Sequence, residues 1–63
     1  MEMFCIVIRD ENNNLNLYKI GEDIKVYSLK EDAQRDIDEM IAKEKELFGD
    51  VVTEYNIATY GDL

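Results

Sequence analysis

The side chains of this chain that could act as nucleophiles have no neighbouring base to activate them. The sequence holds one cysteine, Cys5, one serine, Ser28, and no histidine. A thiol or hydroxyl nucleophile needs a group that takes its proton, most often an imidazole. The apolar residues around Cys5 indicate a buried, inert thiol, and Ser28 stands where a helix is predicted to begin. We therefore expect no enzymatic activity and no catalytic residue.

Side-chain oxygens at every second position make segment 10–16 similar to a calcium-binding loop, since it reads Asp-x-Asn-x-Asn-x-Asn. Such a loop also needs glycine at its sixth position and glutamate at its twelfth, where this chain has Leu15 and Gly21. Asp and Asn hydrogen-bond their own main chain and tolerate left-handed backbone, so the segment favours a hairpin turn. The lone cysteine and the lack of histidine also exclude a disulfide and a His/Cys zinc site. We expect no metal and no cofactor.

Carboxylates are the most abundant reactive groups, with fifteen Asp and Glu against seven Lys and Arg and a net charge of −8. Pairs such as Asp36 and Glu39 lie on a helix face exposed to water, which does not tune an acid or a base. Glu44 lies in the apolar stripe of that helix, where an unpaired carboxylate is costly. We expect Glu44 to overhang the sheet into water. The alternatives are a pair with Lys25 or Lys19, and a basic group on a partner.

Two predicted strands precede the helix and form a hairpin. Residues 3–9 are rich in Ile, Val and Phe and are apolar on both faces, which is typical of a central strand. The second strand spans residues 15–20, with Leu15 and Leu17 on one face and Tyr18 on the other. The Asp/Asn-rich turn joins the two strands.

A helix from Leu29 to Phe48 has the strongest pattern in the chain. Its apolar residues fall in one stripe roughly 120° wide, namely Leu29, Ala33, Ile37, Met40, Ile41, Leu47 and Phe48. Ser28 and Glu31 match the capping box, in which each side chain satisfies a backbone amide of the other residue. Gly49 is a natural end for the helix.

The element order β-β-α-β predicts an α+β fold in a single domain spanning residues 1–63. We expect a three-stranded antiparallel sheet with one helix packed on one face. The last strand, residues 51–60, returns on the far side of the first strand by a right-handed crossover, which gives the spatial order 2-1-3. The other sheet face stays uncovered, so we expect this face or an edge strand to pair with a second copy, which would make a homodimer, or with a partner. The residues predicted to associate there are Met3, Cys5, Val7, Tyr18 and Tyr60.

The negative charge is concentrated in the second half of the chain. Residues 1–30 hold five acids and four bases, a balance of −1, while residues 31–63 hold ten acids and three bases, a balance of −7. The simplest interpretation is a solvating helix face, partly compensated by the pairs Glu31–Arg35 and Glu39–Lys43. The more specific interpretation is docking onto a basic protein surface, such as a groove that binds nucleic acid. The carboxylates would then imitate the phosphates of the nucleic acid. The partner-binding residues would be Glu31, Asp32, Asp36, Asp38, Glu39 and Glu46. Direct binding of nucleic acid is disfavoured by the same charge.

The N-terminal segment lacks the features of a targeting signal. An acid stands at position 2, and the apolar run of residues 3–8 is too short for a signal peptide or a membrane span. The lone thiol fits a reducing compartment. We expect a cytoplasmic protein that does not enter membranes.

In size, acidity, lack of catalytic residues and β-β-α-β pattern, the chain resembles small proteins of phages and mobile elements that inhibit bacterial defence systems. Anti-CRISPR proteins belong to that class, and some of its members mimic DNA. This resemblance implies a stoichiometric inhibitor in the bacterial host cytoplasm. The helix start spanning residues 28–37 after a hairpin is also similar to HicB-type antitoxin domains. The hydrophobic edge formed by Val51 to Tyr60 predicts the second function, that of a structural, assembly or antitoxin-like module that joins a partner by strand addition there.

Overall fold

A three-stranded antiparallel sheet with one helix on one face forms the fold, in a computed structural model that describes residues 2–62. The elements are β1 (Phe4–Arg9), β2 (Leu15–Leu17), β3 (Lys19–Ile20), β4 (Asp23–Ile24), α1 (Lys30–Phe48), β5 (Glu54–Thr59) and a 3-10 turn (Tyr60–Asp62). The sheet has the order β2-β1-β5, with both strand pairs antiparallel. The predicted α+β arrangement, with the first strand in the centre, is confirmed.

Strand β1 is central because both of its faces are apolar. Phe4 and Ile6 turn toward the helix and meet Ala33 and Ile37 in the buried core. Cys5 points to the opposite face and is also fully buried, with Ala58 beside it on the neighbouring strand. Burial of apolar surface on this strand is therefore the main force that fixes its place in the sheet.

The Asp/Asn-rich segment forms the predicted hairpin turn. One carboxylate oxygen of Asp10 accepts the backbone N–H groups of Asn12 and Asn14, each at 2.9 Å. Asn13 adopts left-handed backbone at φ 67°, as the last residue of a three-residue hairpin loop does. These contacts explain why the segment is rich in Asp and Asn, since these residues form the turn.

A second hairpin, which the sequence analysis did not predict, interrupts the second strand. β3 and β4 pair around the two-residue loop formed by Gly21 and Glu22, and Gly21 has φ 66°. The chain then returns to the sheet, where Phe4 and Tyr27 exchange both backbone hydrogen bonds at 2.7 and 2.8 Å. β2 and Tyr27 thus occupy the same edge of β1, and the second hairpin projects from between them.

Tyr18 lies on the opposite face of the sheet from the one predicted. Leu17 lies opposite Val7, so Leu17 and Leu15 belong to the uncovered face of the sheet. Tyr18 donates its N–H to the carbonyl of Ile6 at 2.9 Å, and its ring packs against the helix-side core. The placement of Tyr18 on the uncovered face is therefore wrong, because the hairpin register turns the two leucines outward in its stead.

The helix begins one residue later than the capping box requires. Leu29 has extended backbone at the N-cap position, and no side chain caps the helix. Glu31 is then the second helical residue, so the predicted reciprocal bonds with Ser28 do not form. At the other end Gly49 adopts φ 79° and donates its N–H to the carbonyl of Lys45 at 2.8 Å. The predicted stop at Gly49 is confirmed.

The helix is longer than the sheet that it covers. Its 19 residues span about 28 Å at 1.5 Å per residue, whereas the six-residue strands span about 20 Å. Ala33 and Ile37 of α1 are buried, while Leu29, just before the helix, and Leu47 and Phe48 at its end are 55%, 68% and 77% exposed. The apolar stripe is thus only partly covered.

Candidate interaction surface

A row of carboxylates lies on the side of α1 that faces away from the sheet. Helical periodicity places these residues opposite Ala33 and Ile37, which are the buried residues of the helix. We call them the acidic helix face: Glu31, Asp32, Asp38, Glu39 and Glu46. Four of them are exposed and Asp32 is partly exposed. Their outward orientation agrees with the prediction.

Little of this charge is compensated within the chain. Among residues 2–62, the ion pair is Arg35 with Asp32 at 3.7 Å, between side chains that are 71% and 44% exposed. The expected pairs of Glu31 with Arg35 and of Glu39 with Lys43 do not form. An exposed pair of this kind contributes about 0–1 kcal/mol. Most carboxylates of the acidic helix face therefore have no direct ion pair among the described residues.

Asp36 belongs to the core boundary and not to the acidic helix face. The Tyr27 hydroxyl donates to its Oδ2 atom at 2.5 Å, and Tyr27 itself is buried. Burial, followed by the hydrogen bond and the negative charge of Asp36, raises the pKa of Tyr27 well above its usual range. The prediction of Asp36 as an outward carboxylate is wrong, since the side of the helix that carries it meets the chain leading out of the second hairpin.

Glu44 is held by β5 and by Thr53, the residue just before that strand. The Thr53 hydroxyl donates to its Oε1 atom at 2.6 Å, and the Tyr55 hydroxyl donates to Oε2 at 3.2 Å. The prediction that Glu44 overhangs the sheet is wrong, and a pair with Lys19 or Lys25 does not form either. Burial, followed by the hydrogen bond and charge of Glu44, raises the pKa of Tyr55. The sequence holds a signal for this contact, because Thr53 and Tyr55 stand two positions apart and an extended chain places both on the side that faces the helix.

These two tyrosine contacts predict a loss of stability at high pH. A group whose pKa is raised by folding stabilises the protein fully below its unfolded pKa, about 10 for tyrosine, and loses that contribution as the pH rises through the folded value. We expect the free energy of unfolding to fall above about pH 10. The fall should be less steep in the variant Tyr27→Phe/Tyr55→Phe. Urea denaturation followed by circular dichroism measures both slopes. Equal slopes for the unmodified protein and the double variant would contradict the assignment.

The uncovered sheet face is apolar but offers a partner less surface than predicted. Cys5 has no exposed surface, so it cannot contact a second molecule, and burial raises the pKa of its thiol. Met3 and Val7 are half-buried, and Tyr60 is 41% exposed. Leu15, which the prediction did not include, is 60% exposed on this face. The self-association residues that remain accessible are therefore Met3, Val7 and Tyr60.

Strand β5 has a free edge. It pairs with β1, and no strand within residues 2–62 pairs with its other side. The Tyr60 N–H donates to the carbonyl of Met3 at 2.8 Å, whereas Phe4 makes both of its backbone bonds to Tyr27 on the opposite edge of β1. Inward and outward peptide groups alternate along an antiparallel strand. The β5 residues whose N–H and C=O groups point outward are thus Tyr55, Ile57 and Thr59.

A shallow groove of about 430 Å³ runs along α1 beside Tyr18. Asp36, Glu39 and Glu46 line it together with Lys43, so its walls carry both signs of charge. In the part of the chain that the structure describes, no three His, Cys, Asp or Glu side chains are grouped as a metal site would need.

Comparisons with protein-family models, curated proteins and solved structures find no match to this chain. Within residues 2–62, no helix is both long enough and apolar enough to cross a membrane. Three surfaces of the described residues are available to a partner. They are the acidic helix face, the uncovered sheet face and the free edge of β5.

Proposed function

We propose that this protein is a small acidic binding protein that inhibits or regulates a larger protein by direct contact and has no enzymatic activity. The acidic helix face carries the proposal. Glu31, Glu39 and Glu46 are exposed there, and no cation of residues 2–62 lies within 4.0 Å of their carboxylates. The partner has a complementary basic surface, such as the nucleic-acid-binding groove of a host-defence protein.

Long-range attraction supports this function. A net charge of −8 on 63 residues produces a field that extends about 10 Å at moderate ionic strength and guides a cationic partner to the surface. The same field repels nucleic acid, so the partner is a protein. In this proposal the site of action is the cytoplasm of a bacterial host, where the protein acts as a stoichiometric inhibitor.

The state of the single thiol supports a function without catalysis. Cys5 is the strongest nucleophile of the chain, yet it has no exposed surface and its pKa is raised by burial. The thiolate, which is the reactive form of cysteine, is disfavoured there. Asp36 and Glu44 are both engaged by hydroxyl groups of the fold.

Strand addition at β5 is the second candidate function, that of a structural, assembly or antitoxin-like module. The free edge formed by Tyr55, Ile57 and Thr59 favours it, since outward peptide groups can accept a further strand. Proline at Ile57 would remove one outward donor and abolish such binding. Charge reversal on the helix would leave it unchanged.

Capture from a bacterial lysate tests the acidic helix face. The bait is the immobilised protein, compared with the helix-face variant Asp38→Lys/Glu39→Lys/Glu46→Lys. A control variant, Glu2→Lys/Glu11→Lys/Glu22→Lys, has the same net charge but changes exposed residues outside the helix. We expect the unmodified and control baits to retain a basic protein at low salt and release it at high salt, while the helix-face variant does not retain it. Equal retention by both variants would refute a role for this face.

A further inference from the structure

We propose that the free edge of β5 binds a second copy of this chain, antiparallel, about a two-fold axis at Ile57. This inference names the occupant of the strand-addition edge and does not depend on the acidic helix face. Of the two surfaces predicted for self-association, it selects the sheet edge over the uncovered sheet face. Both α1 helices then lie on the same side of a continuous six-stranded sheet.

The edge of β5 lacks the devices that usually protect edge strands. Natural edges are blunted by proline, lysine, bulges or very short strands. β5 has six residues in unbroken register with β1, and its single charged residue, Glu54, stands at one end. The other edge of the sheet is different, because β2 has three residues and the second hairpin projects beside it. One edge of the sheet is therefore open and the other is obstructed.

The open edge is complementary to itself. With the axis at Ile57, the two copies of Ile57 face each other, and Tyr55 of each copy faces Thr59 of the other. These are the residues whose peptide groups point outward. Each such pair exchanges two hydrogen bonds, so three pairs give about six. A one-residue slip of the register, which puts the axis between two residues, would point outward groups at inward ones and lose the ladder. An axis at Asn56 or Ala58 keeps outward groups opposed but leaves two such pairs within β5 in place of three.

The same register places no like charges opposite each other. Glu54 faces Tyr60 of the second copy, and Asn56 faces Ala58. Tyr60, which is 41% exposed, gains a neighbour at each end of the joined strands. Repulsion between two copies is thus limited to their overall charge of −8 each. Salt screens that repulsion, so dimerisation strengthens with salt, whereas binding to a basic partner weakens.

Two double variants test the register by placing charges where Asn56 meets Ala58. In Asn56→Glu/Ala58→Glu, like charges face each other at both symmetry-related positions. In Asn56→Lys/Ala58→Glu, opposite charges do, and the net charge stays at −8, since one added base offsets one added acid. Sedimentation equilibrium at moderate salt should show a dimer of the unmodified protein. We expect the like-charge variant to raise the dimer dissociation constant at least about tenfold and the opposite-charge variant to keep it within about threefold.

A monomer of the unmodified protein up to millimolar concentration would overturn the proposal, and so would equal dissociation constants for the two variants. If Ala58→Glu prevents folding, as far-UV circular dichroism would show, disulfide trapping in a Cys5→Ala background gives the answer. Ile57→Cys should form a covalent dimer under mild oxidation, since the two Cα atoms of a directly opposed pair lie about 5.5 Å apart. Glu54→Cys should not, because its two copies lie about 20 Å apart.

The outcomes separate this inference from the proposed function. A protein that stays monomeric but still captures a basic partner through the helix loses only the β5 inference. A protein that dimerises in the predicted register but captures nothing loses only the role of the acidic helix face. The two surfaces respond to salt with opposite sign, so a single salt series shows which one is at work.

Discussion

Replacing Ile6 with alanine should leave the protein largely unfolded at room temperature. Ile6 has no exposed surface and lies at the centre of β1, where it contributes to the core that α1 closes. Truncation of a buried isoleucine to alanine costs about 2–5 kcal/mol, since the neighbours cannot fill the cavity. A single core in a chain of this size rarely supplies more than about 3–5 kcal/mol. The expected loss is therefore comparable with the whole stability.

Ile20→Ala is the matched control, because it removes the same atoms from a side chain that is 58% exposed in the second hairpin. We expect its free energy of unfolding to stay within about 0.5 kcal/mol of the unmodified protein. Urea denaturation followed by circular dichroism measures both variants. A denaturation midpoint for Ile6→Ala that matches that of Ile20→Ala would show that the core lies elsewhere.

The helix-face variant, Asp38→Lys/Glu39→Lys/Glu46→Lys, should associate with the captured basic partner about 10- to 100-fold more slowly at low salt. Each acid-to-lysine change adds two charges, so the net charge moves from −8 to −2. Electrostatic steering raises association rates by such factors and falls steeply with ionic strength. Asp36 is left unchanged because its carboxylate holds Tyr27.

The salt dependence of that rate is the second part of this prediction. For the unmodified protein, stopped-flow measurements should show association slowing several-fold between low and moderate salt. The rate for the helix-face variant should be nearly flat over the same range. A steep salt dependence that persists in this variant would mean that other carboxylates guide the encounter.

The architecture was predictable because its signals repeat over many residues. An apolar pattern on both faces of residues 3–9 predicted the central strand, and 3.6-residue periodicity predicted the helix. Antiparallel pairing of all three strands then followed from chain order and crossover handedness. Gly49 also behaved as predicted, since left-handed backbone at a helix end depends on one residue type.

The misplaced details depend on single residues whose neighbours come from elsewhere in the chain. A two-residue loop at Gly21 pairs residues 19–20 with residues 23–24 and so removes them from the predicted second strand. The signal for this loop is short compared with the strand pattern before it. Ser28 lost its capping role because the helix begins one residue later, a shift that several sequence patterns tolerate. The face of Tyr18 followed from hairpin register, where an error of one residue exchanges the two faces.

The sequence predicted an acidic surface on the helix, but it did not predict every residue of that surface correctly. Exposed acids on a helix can be counted from the sequence, and five of the six predicted residues form the acidic helix face. Asp36 does not belong to the acidic helix face because it accepts a hydrogen bond from Tyr27. Tyr27 is nine residues away and comes beside Asp36 only in the folded chain. For the same reason, the hydroxyl donors of Glu44, on Thr53 and Tyr55, come beside it only in the folded chain. Long-range partners of polar groups are set by packing, which periodicity alone does not describe.

The most direct test of contact through the acidic helix face compares two proteins of equal net charge. The helix-face variant and the control variant Glu2→Lys/Glu11→Lys/Glu22→Lys both carry −2, because each replaces three acids by lysines. The measurement is the association rate of each with the captured partner at one low salt concentration. We predict that the control variant associates at least about five times faster than the helix-face variant. Equal rates would contradict the account, because only overall charge, and no particular surface, would then guide the partner.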